Sequence, residues 1–193
     1  MASSITYEYR AWLRDLQSIA ILMRACMDPE EVEERVDTYF MGSGDGRLLA
    51  KLRGNDRFEI KALVGREEAG EIWRRAVSET FPLRRPTVEK ISCLFDTTGD
   101  AAKLIRTHLE LREAFQACAT PIPVRKKRFH LRTERCRAEL THVTMDGMHF
   151  QTAAIECEDA KMLRSMISSL ALTRWPNLNY GAWLRSRMRD DRA

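Results

Sequence analysis

The sequence predicts an α+β protein: an antiparallel sheet of about eight strands, closed into a barrel and flanked by helices. Three observations predict it. A chain of 193 residues with 44% hydrophobic side chains is one domain, 1–193, with apolar residues enough for a core. Short segments of alternating polarity recur along it, several joined by hairpin signals. In those segments charged residues stand at i and i+2, on one face of a strand, while the opposite face is largely apolar.

The elements follow in order. Ile5 to Trp12 puts Ile5, Tyr7 and Tyr9 on one face and Thr6, Glu8 and Arg10 on the other, a strand. Asp15 to Met27 has helical spacing at Leu16, Ile19, Ala20 and Met23. Asp28-Pro29-Glu30-Glu31 resembles an N-cap, a Pro at N1 and an acidic first turn, and predicts a short helix. Asp37 to Met41 is extended and ends at the glycines of 42–46. Arg47–Arg53 and Arg57–Val64 are strands joined by the turn Gly54-Asn55-Asp56. Glu67–Ser78 is expected as a helix, Val88–Phe95 as a strand, and Asp100–Ala117 as a helix. Pro121-Ile122-Pro123 resets the chain to extended geometry. Strands are then expected at Val124–Arg132, Arg135–Met145 and Met148–Glu158, the last two joined by Asp146-Gly147. Asp159 caps a helix carrying Met162, Leu163, Met166, Ile167 and Leu170, and Tyr180–Met188 predicts a last one.

Composition excludes several classes. With 32 Lys and Arg against 28 Asp and Glu, the charge is dense yet nearly cancels, at +4. The longest aliphatic run, Ile19 to Met23, is far short of the roughly 20 residues of a membrane helix. The first residues carry no secretory pattern. Five cysteines, scattered and without CxxC spacing, argue against a disulfide framework or a zinc cluster and for reduced thiols in a cytoplasmic protein. The four histidines, His108, His130, His142 and His149, lack metal spacing, and Cys157 reads as a core residue. A pI near 8.9 could suit nucleic acid, but alternation splits Arg125-Lys126-Lys127-Arg128 between two faces, which argues against that partner.

The strand faces carry the functional signal. Glu8 and Arg10, Lys51 and Arg53, Glu59 and Lys61, Lys126 and Arg128, Arg137 and Glu139, and Glu156 and Glu158 repeat one device. On an outer face such pairs would be solvated ion pairs of about 0.2–1 kcal/mol each. Turned into a closed barrel, they would need partners, because burying unpaired charge is prohibitive. A phosphate chain with a divalent cation satisfies both signs: Lys and Arg neutralise phosphoryl oxygens, and carboxylates hold Mg²⁺ or Mn²⁺.

These residues resemble the CYTH, or triphosphate tunnel metalloenzyme, family of class IV adenylyl cyclases, thiamine triphosphatases and inorganic triphosphatases. The resemblance runs from Thr6 to Leu184. The family's opening E-x-E-x-K strand is similar to Thr6-Tyr7-Glu8-Tyr9-Arg10, its aspartate-threonine-tyrosine segment to Asp37-Thr38-Tyr39-Phe40, and its R-x-R strand to Lys51-Leu52-Arg53. Phe58-Glu59-Ile60-Lys61, Lys126-Lys127-Arg128, Ala138-Glu139-Leu140, Ile155-Glu156-Cys157-Glu158 and Asn179-Tyr180-Gly181-Ala182-Trp183-Leu184 resemble later motifs. Thr6 stands where the family has its first glutamate, and Arg10 where it has lysine.

The resemblance implies a metal-dependent triphosphatase. Arg10, Lys51, Arg53, Lys61, Lys126 and Arg128 would hold phosphates; Glu8, Glu139, Glu156 and Glu158 would bind Mg²⁺ or Mn²⁺; Glu8, Lys61 and Glu139 would be the catalytic set. The partner implied is a triphosphate-containing small molecule, with no membrane and room for a homodimer. The same tunnel could serve an adenylyl cyclase, although no residue specifies an adenine pocket. Thr6 motivates a third reading, a non-catalytic binder of triphosphate or polyphosphate.

Overall fold

The alternating opening segment forms β1 (Ile5–Leu13), and the apolar stripe after it forms α1 (Gln17–Cys26), with Ile19 and Met23 buried. These belong to a computed structural model that describes residues 5–44, 46–68, 70–95 and 104–190. The next strands are β2 (Asp28–Gly42), β3 (Leu48–Arg53), β4 (Arg57–Glu67) and β5 (Gly70–Thr80). Helices α2 (Arg85–Phe95) and α3 (His108–Phe115) precede β6 (Ala119–Arg132), β7 (Cys136–Met145) and β8 (Met148–Cys157). Helix α4 (Ala160–Ser169), a 3-10 turn (Leu172–Arg174) and α5 (Tyr180–Asp190) follow. None of the described helices is long and apolar enough to cross a membrane.

The strands form one closed barrel in the order β1-β5-β4-β3-β2-β6-β7-β8. Every pairing with a defined register is antiparallel, and β8 returns to β1 with Tyr9 opposite Ile155. Asp146 and Gly147 both adopt positive φ, 50° and 76°, the left-handed pair that a two-residue turn between β7 and β8 requires. Gly70 opens β5 where a side chain has no room: a Cβ there would lie 2.6 Å from the Glu8 carbonyl oxygen on β1.

The chain divides into two compact units. The first is Met1–Arg35, Leu63–Arg74 and Arg125–Ala193; the second is Val36–Ala62 and Arg75–Val124. In the first, one face of β1, β7 and β8 supplies Tyr9, Ala11, Leu13, Ala138, Leu140, Ala153 and Ile155. They form one core with Ile19 and Met23 of α1 and Leu163 and Ile167 of α4. In the second, Phe40, Ala50, Leu52, Phe58 and Ile60 pack on Val88 and Ile91 of α2 and Leu111 and Phe115 of α3. The Phe40 and Phe115 rings stack at 4.4 Å. With helices against one face of these strands, period 2 sends the charged residues to the other face, into the barrel.

Four expected elements differ. The segment at 28–31 is the start of β2, not a helix: its outer half is exposed, so no apolar alternation marks it, and Pro29 stands at the strand's start, where Pro is tolerated. The helix expected at Glu67–Ser78 is β5. Its Glu71, Trp73 and Arg75 share one face, and Ile72 and Ala76 on the other mimic helical spacing. The strand expected at Val88–Phe95 lies within α2, where Thr87, Val88 and Ile91 make the buried face. Of the helix expected at Asp100–Ala117, the described part, 104–117, contains α3, capped by Thr107, whose side chain accepts from the Glu110 amide. Residues 100–103 lie outside the described set.

The thiols also differ from expectation. Cys136 and Cys157 form a disulfide, while Cys26, Cys93 and Cys118 are not disulfide-bonded. The two partners stand directly opposite each other, equidistant from the Asp146-Gly147 turn, with Cα atoms 4.4 Å apart. Scattered spacing in the sequence hid a pair that hairpin register brings together.

Candidate active site

The first unit gathers cations on the inward face. Arg10 on β1 and Lys126 and Arg128 on β6 are buried at 5%, 0% and 5% exposure, whereas Arg125 and Lys127, which alternate with the last two, are exposed. Glu139 on β7 lies among them: Arg10 Nη1 is 3.1 Å from its Oε1, and Arg128 Nε 3.5 Å from its Oε2. The Thr141 hydroxyl donates to Glu139 at 2.9 Å. Burial pushes the Glu139 carboxyl up, but Arg128, Arg10 and Lys126, with the Thr141 hydrogen bond, hold it well below the usual carboxylate range. Glu139 is therefore ionised at neutral pH.

Glu8 lies 3.4 Å from Arg10 Nη2. Glu33 on β2 bonds Arg35 and stands 3.5 Å from both Arg128 Nη1 and His130 Nε2. The segment before α5 completes this cluster. β5 pairs with β1 only as far as Glu8, and beyond it Arg10 donates its amide to Asn177 Oδ1 at 2.9 Å and accepts at its carbonyl from the Leu178 amide at 2.8 Å. Asn179 caps α5 by accepting from the Ala182 amide, and its Nδ2 donates to both oxygens of Glu71 at 3.0 and 2.8 Å. Tyr180, the first residue of α5, then presents its ring to Lys126 Nζ at 3.8 Å and to the Arg10 guanidinium at 4.6 Å.

The second unit holds its own cluster. Glu59 on β4, opposite Lys51 on β3, lies 3.3 Å from Lys51 Nζ and 3.0 Å from Arg53 Nη1. Burial raises its pKa, yet Lys51, Arg53 and Arg75 outweigh burial and lower it to about 2. Lys61 shares the face of Glu59 and is half-buried.

The structure thus brings together Glu8, Arg10, Lys126, Arg128 and Glu139 in one unit, and Lys51 and Arg53 around Glu59 in the other. Glu156 is half-buried and stands opposite Glu8 and Arg137. Glu158 lies past the end of β8 and is exposed. Among the described residues, no three or more His, Cys, Asp or Glu side chains form a group able to hold a metal ion. The carboxylates proposed for Mg²⁺ or Mn²⁺ do not make a ready cage: Glu8 and Glu139 face guanidinium groups, and Glu158 stands apart.

Sequence reasoning gave no role to Tyr180, Thr141 or Glu33. Thr141 was within reach, since it follows Glu139 by two positions on the same face. Glu33 had no signal, because its segment lacks apolar alternation. Tyr180 is marked in the sequence only as part of the 179–184 segment that resembles a family motif; its place over Lys126 and Arg10 comes from the docking of α5, which local periodicity does not encode.

No protein-family model matches the chain, and no curated protein matches it. Solved structures do. A Pyrococcus horikoshii OT3 protein is similar at TM-score 0.58 and 14% identity, over 86% of this chain and 90% of its own. A candidate adenylyl cyclase from Hippeastrum, described as having a dominant triphosphatase activity, is similar at TM-score 0.56 and 11% identity, over 94% and 95%. A candidate adenylate cyclase from Bacillus halodurans gives TM-score 0.53 at 10% identity, over 93% and 97%. The chain shares the barrel fold of these proteins.

Proposed function

We propose that the protein is a triphosphate tunnel protein of the CYTH type that binds a triphosphate chain on the inward face of its barrel and hydrolyses the terminal phosphoryl group. One observation carries the reading: Arg10, Lys126 and Arg128 are buried on a single face around an ionised Glu139. Buried cations held this way suit a polyanion, because phosphoryl oxygens replace the hydration that the side chains lost. The guanidinium forks of Arg10 and Arg128 can each span two phosphate oxygens, and Lys126 acts as a point charge.

In phosphoryl transfer the charge spreads over the three equatorial oxygens, so catalysis is mainly positioning and charge stabilisation. The three cations supply that stabilisation. Glu139, kept ionised and oriented by Thr141, is placed in this proposal to orient the attacking water. In the second unit, Lys51, Arg53 and Lys61 keep the phosphate role that the resemblance implies, with Glu59 fixing the first two. Because no three of the described carboxylates form a group able to hold a metal ion, Mg²⁺ or Mn²⁺ enters the proposal as the counter-ion of the triphosphate, arriving with the substrate.

The test is phosphate release from tripolyphosphate, thiamine triphosphate, ATP and GTP, with Mg²⁺ or Mn²⁺, alongside a search for cyclic AMP. Phosphate without cyclic product is expected. Lys126→Ala and Arg128→Ala should each weaken kcat/KM roughly 10- to 100-fold, the value of a lost charge-assisted hydrogen bond. Full activity in both variants contradicts the assignment. A second reading, a triphosphate binder without turnover, is favoured by Thr6, which stands where the resemblance implies a glutamate. It requires thermal stabilisation by tripolyphosphate with no phosphate released.

A further inference from the structure

We infer that Tyr180 is a positioning residue that holds Arg10 and Lys126 in their phosphate-binding attitude. This rests on the triphosphate reading above. Two like charges reach one ring, Lys126 Nζ at 3.8 Å from its centroid and the Arg10 guanidinium carbon at 4.6 Å. They are contributed by different strands, β6 and β1, and the side chain of Lys126 has no exposure at all. An ammonium stripped of water needs an electron-rich neighbour, and the face of an aromatic ring provides one without neutralising the charge. A carboxylate would neutralise it, and Glu139 is close enough to feel the charge of Lys126. The ring thus adds a contact that orients Lys126 without adding a negative charge beside it.

The ring is itself fixed. Tyr180 is 5% exposed, and Trp12 meets it edge-on at 5.2 Å. Its helix start is tied down by Asn179 to Glu71 and by the Leu178 carbonyl, which accepts from Trp12 Nε1 at 2.8 Å. A platform this constrained sets where two phosphate ligands point.

The test measures tripolyphosphate binding by calorimetry, and KM and kcat for phosphate release, in the full chain. Tyr180→Phe keeps the ring and should stay within about threefold of the parent in Kd. Tyr180→Leu and Tyr180→Met remove it and should raise Kd and KM by about tenfold or more, with kcat changed less. Leu184→Ala, which loosens the same helix without removing the ring, should lower Tm and leave Kd within about twofold. Two non-aromatic variants keep the test decisive if one fails to fold. If the parent binds tripolyphosphate and both bind it equally well, the inference falls while the function stands. Loss of binding in Tyr180→Phe, or an equal loss in Leu184→Ala, also overturns it. A parent that neither binds nor is stabilised by tripolyphosphate sinks the functional reading and the inference together.

Discussion

Glu59 concentrates the electrostatics of the second unit in one side chain. It is 3% exposed, and Lys51, Arg53 and Arg75 outweigh its burial to lower its pKa from an ordinary 4.5 to about 2. A folded pKa below the unfolded one means that the stabilisation is complete above about pH 4.5 and is lost as pH falls towards 2. At about 1.4 kcal/mol per unit, this amounts to on the order of 3 kcal/mol. Lys51→Met should therefore raise the Glu59 pKa and move the acid-unfolding midpoint, followed by circular dichroism, to higher pH; an unmoved midpoint refutes the coupling. At this scale the parity of side chains was legible. Alternation alone separates Lys126 and Arg128 from Arg125 and Lys127, and the buried and exposed sets follow it. The partners that long-range docking brings, such as Glu71 for Asn179, were not legible, because nothing local specifies a contact more than a hundred positions away.

Among the elements, α5 has the most to lose from a single change. Asn179 both caps it and satisfies the buried carboxylate of Glu71, which also accepts from Trp73 Nε1 at 3.2 Å. Asn179→Ala removes a cap and the two hydrogen bonds that Asn179 Nδ2 gives Glu71, so chemical denaturation should show a loss of about 1–3 kcal/mol. A loss no larger than that of a surface substitution argues against this anchoring role. Elements with a clean period or a sharp turn were legible: β1, β3, β4, β7, β8 and α4 stand where alternation, Asp146-Gly147 and the Asp159 cap put them. The failures share a cause. In β5 both faces carry apolar residues, and in α2 a short run of mixed character admits either period, so periodicity could not decide.

For the whole molecule, closure of the barrel depends on β8 returning to β1, and the Cys136–Cys157 bridge ties the open end of the β7–β8 hairpin that makes this return. Denatured without reductant, the oxidised protein should show three alkylatable thiols of its five cysteines, counted by mass; five would refute the bridge. Reduction should cost roughly 3 kcal/mol, the loop entropy of a 21-residue separation. The same closure has a cost in time. β1 finds its partners only across most of the chain, Tyr7 lying opposite Ile72 and Cys157, and such distant pairings form slowly. While it waits, Ile5–Leu13 is an open ribbon rich in aromatic and β-branched residues, the kind of strand that recruits its own copies. Glu8 and Arg10 interrupt that ribbon. The charges proposed to serve phosphate in the folded barrel also act as gatekeepers against self-association before it closes.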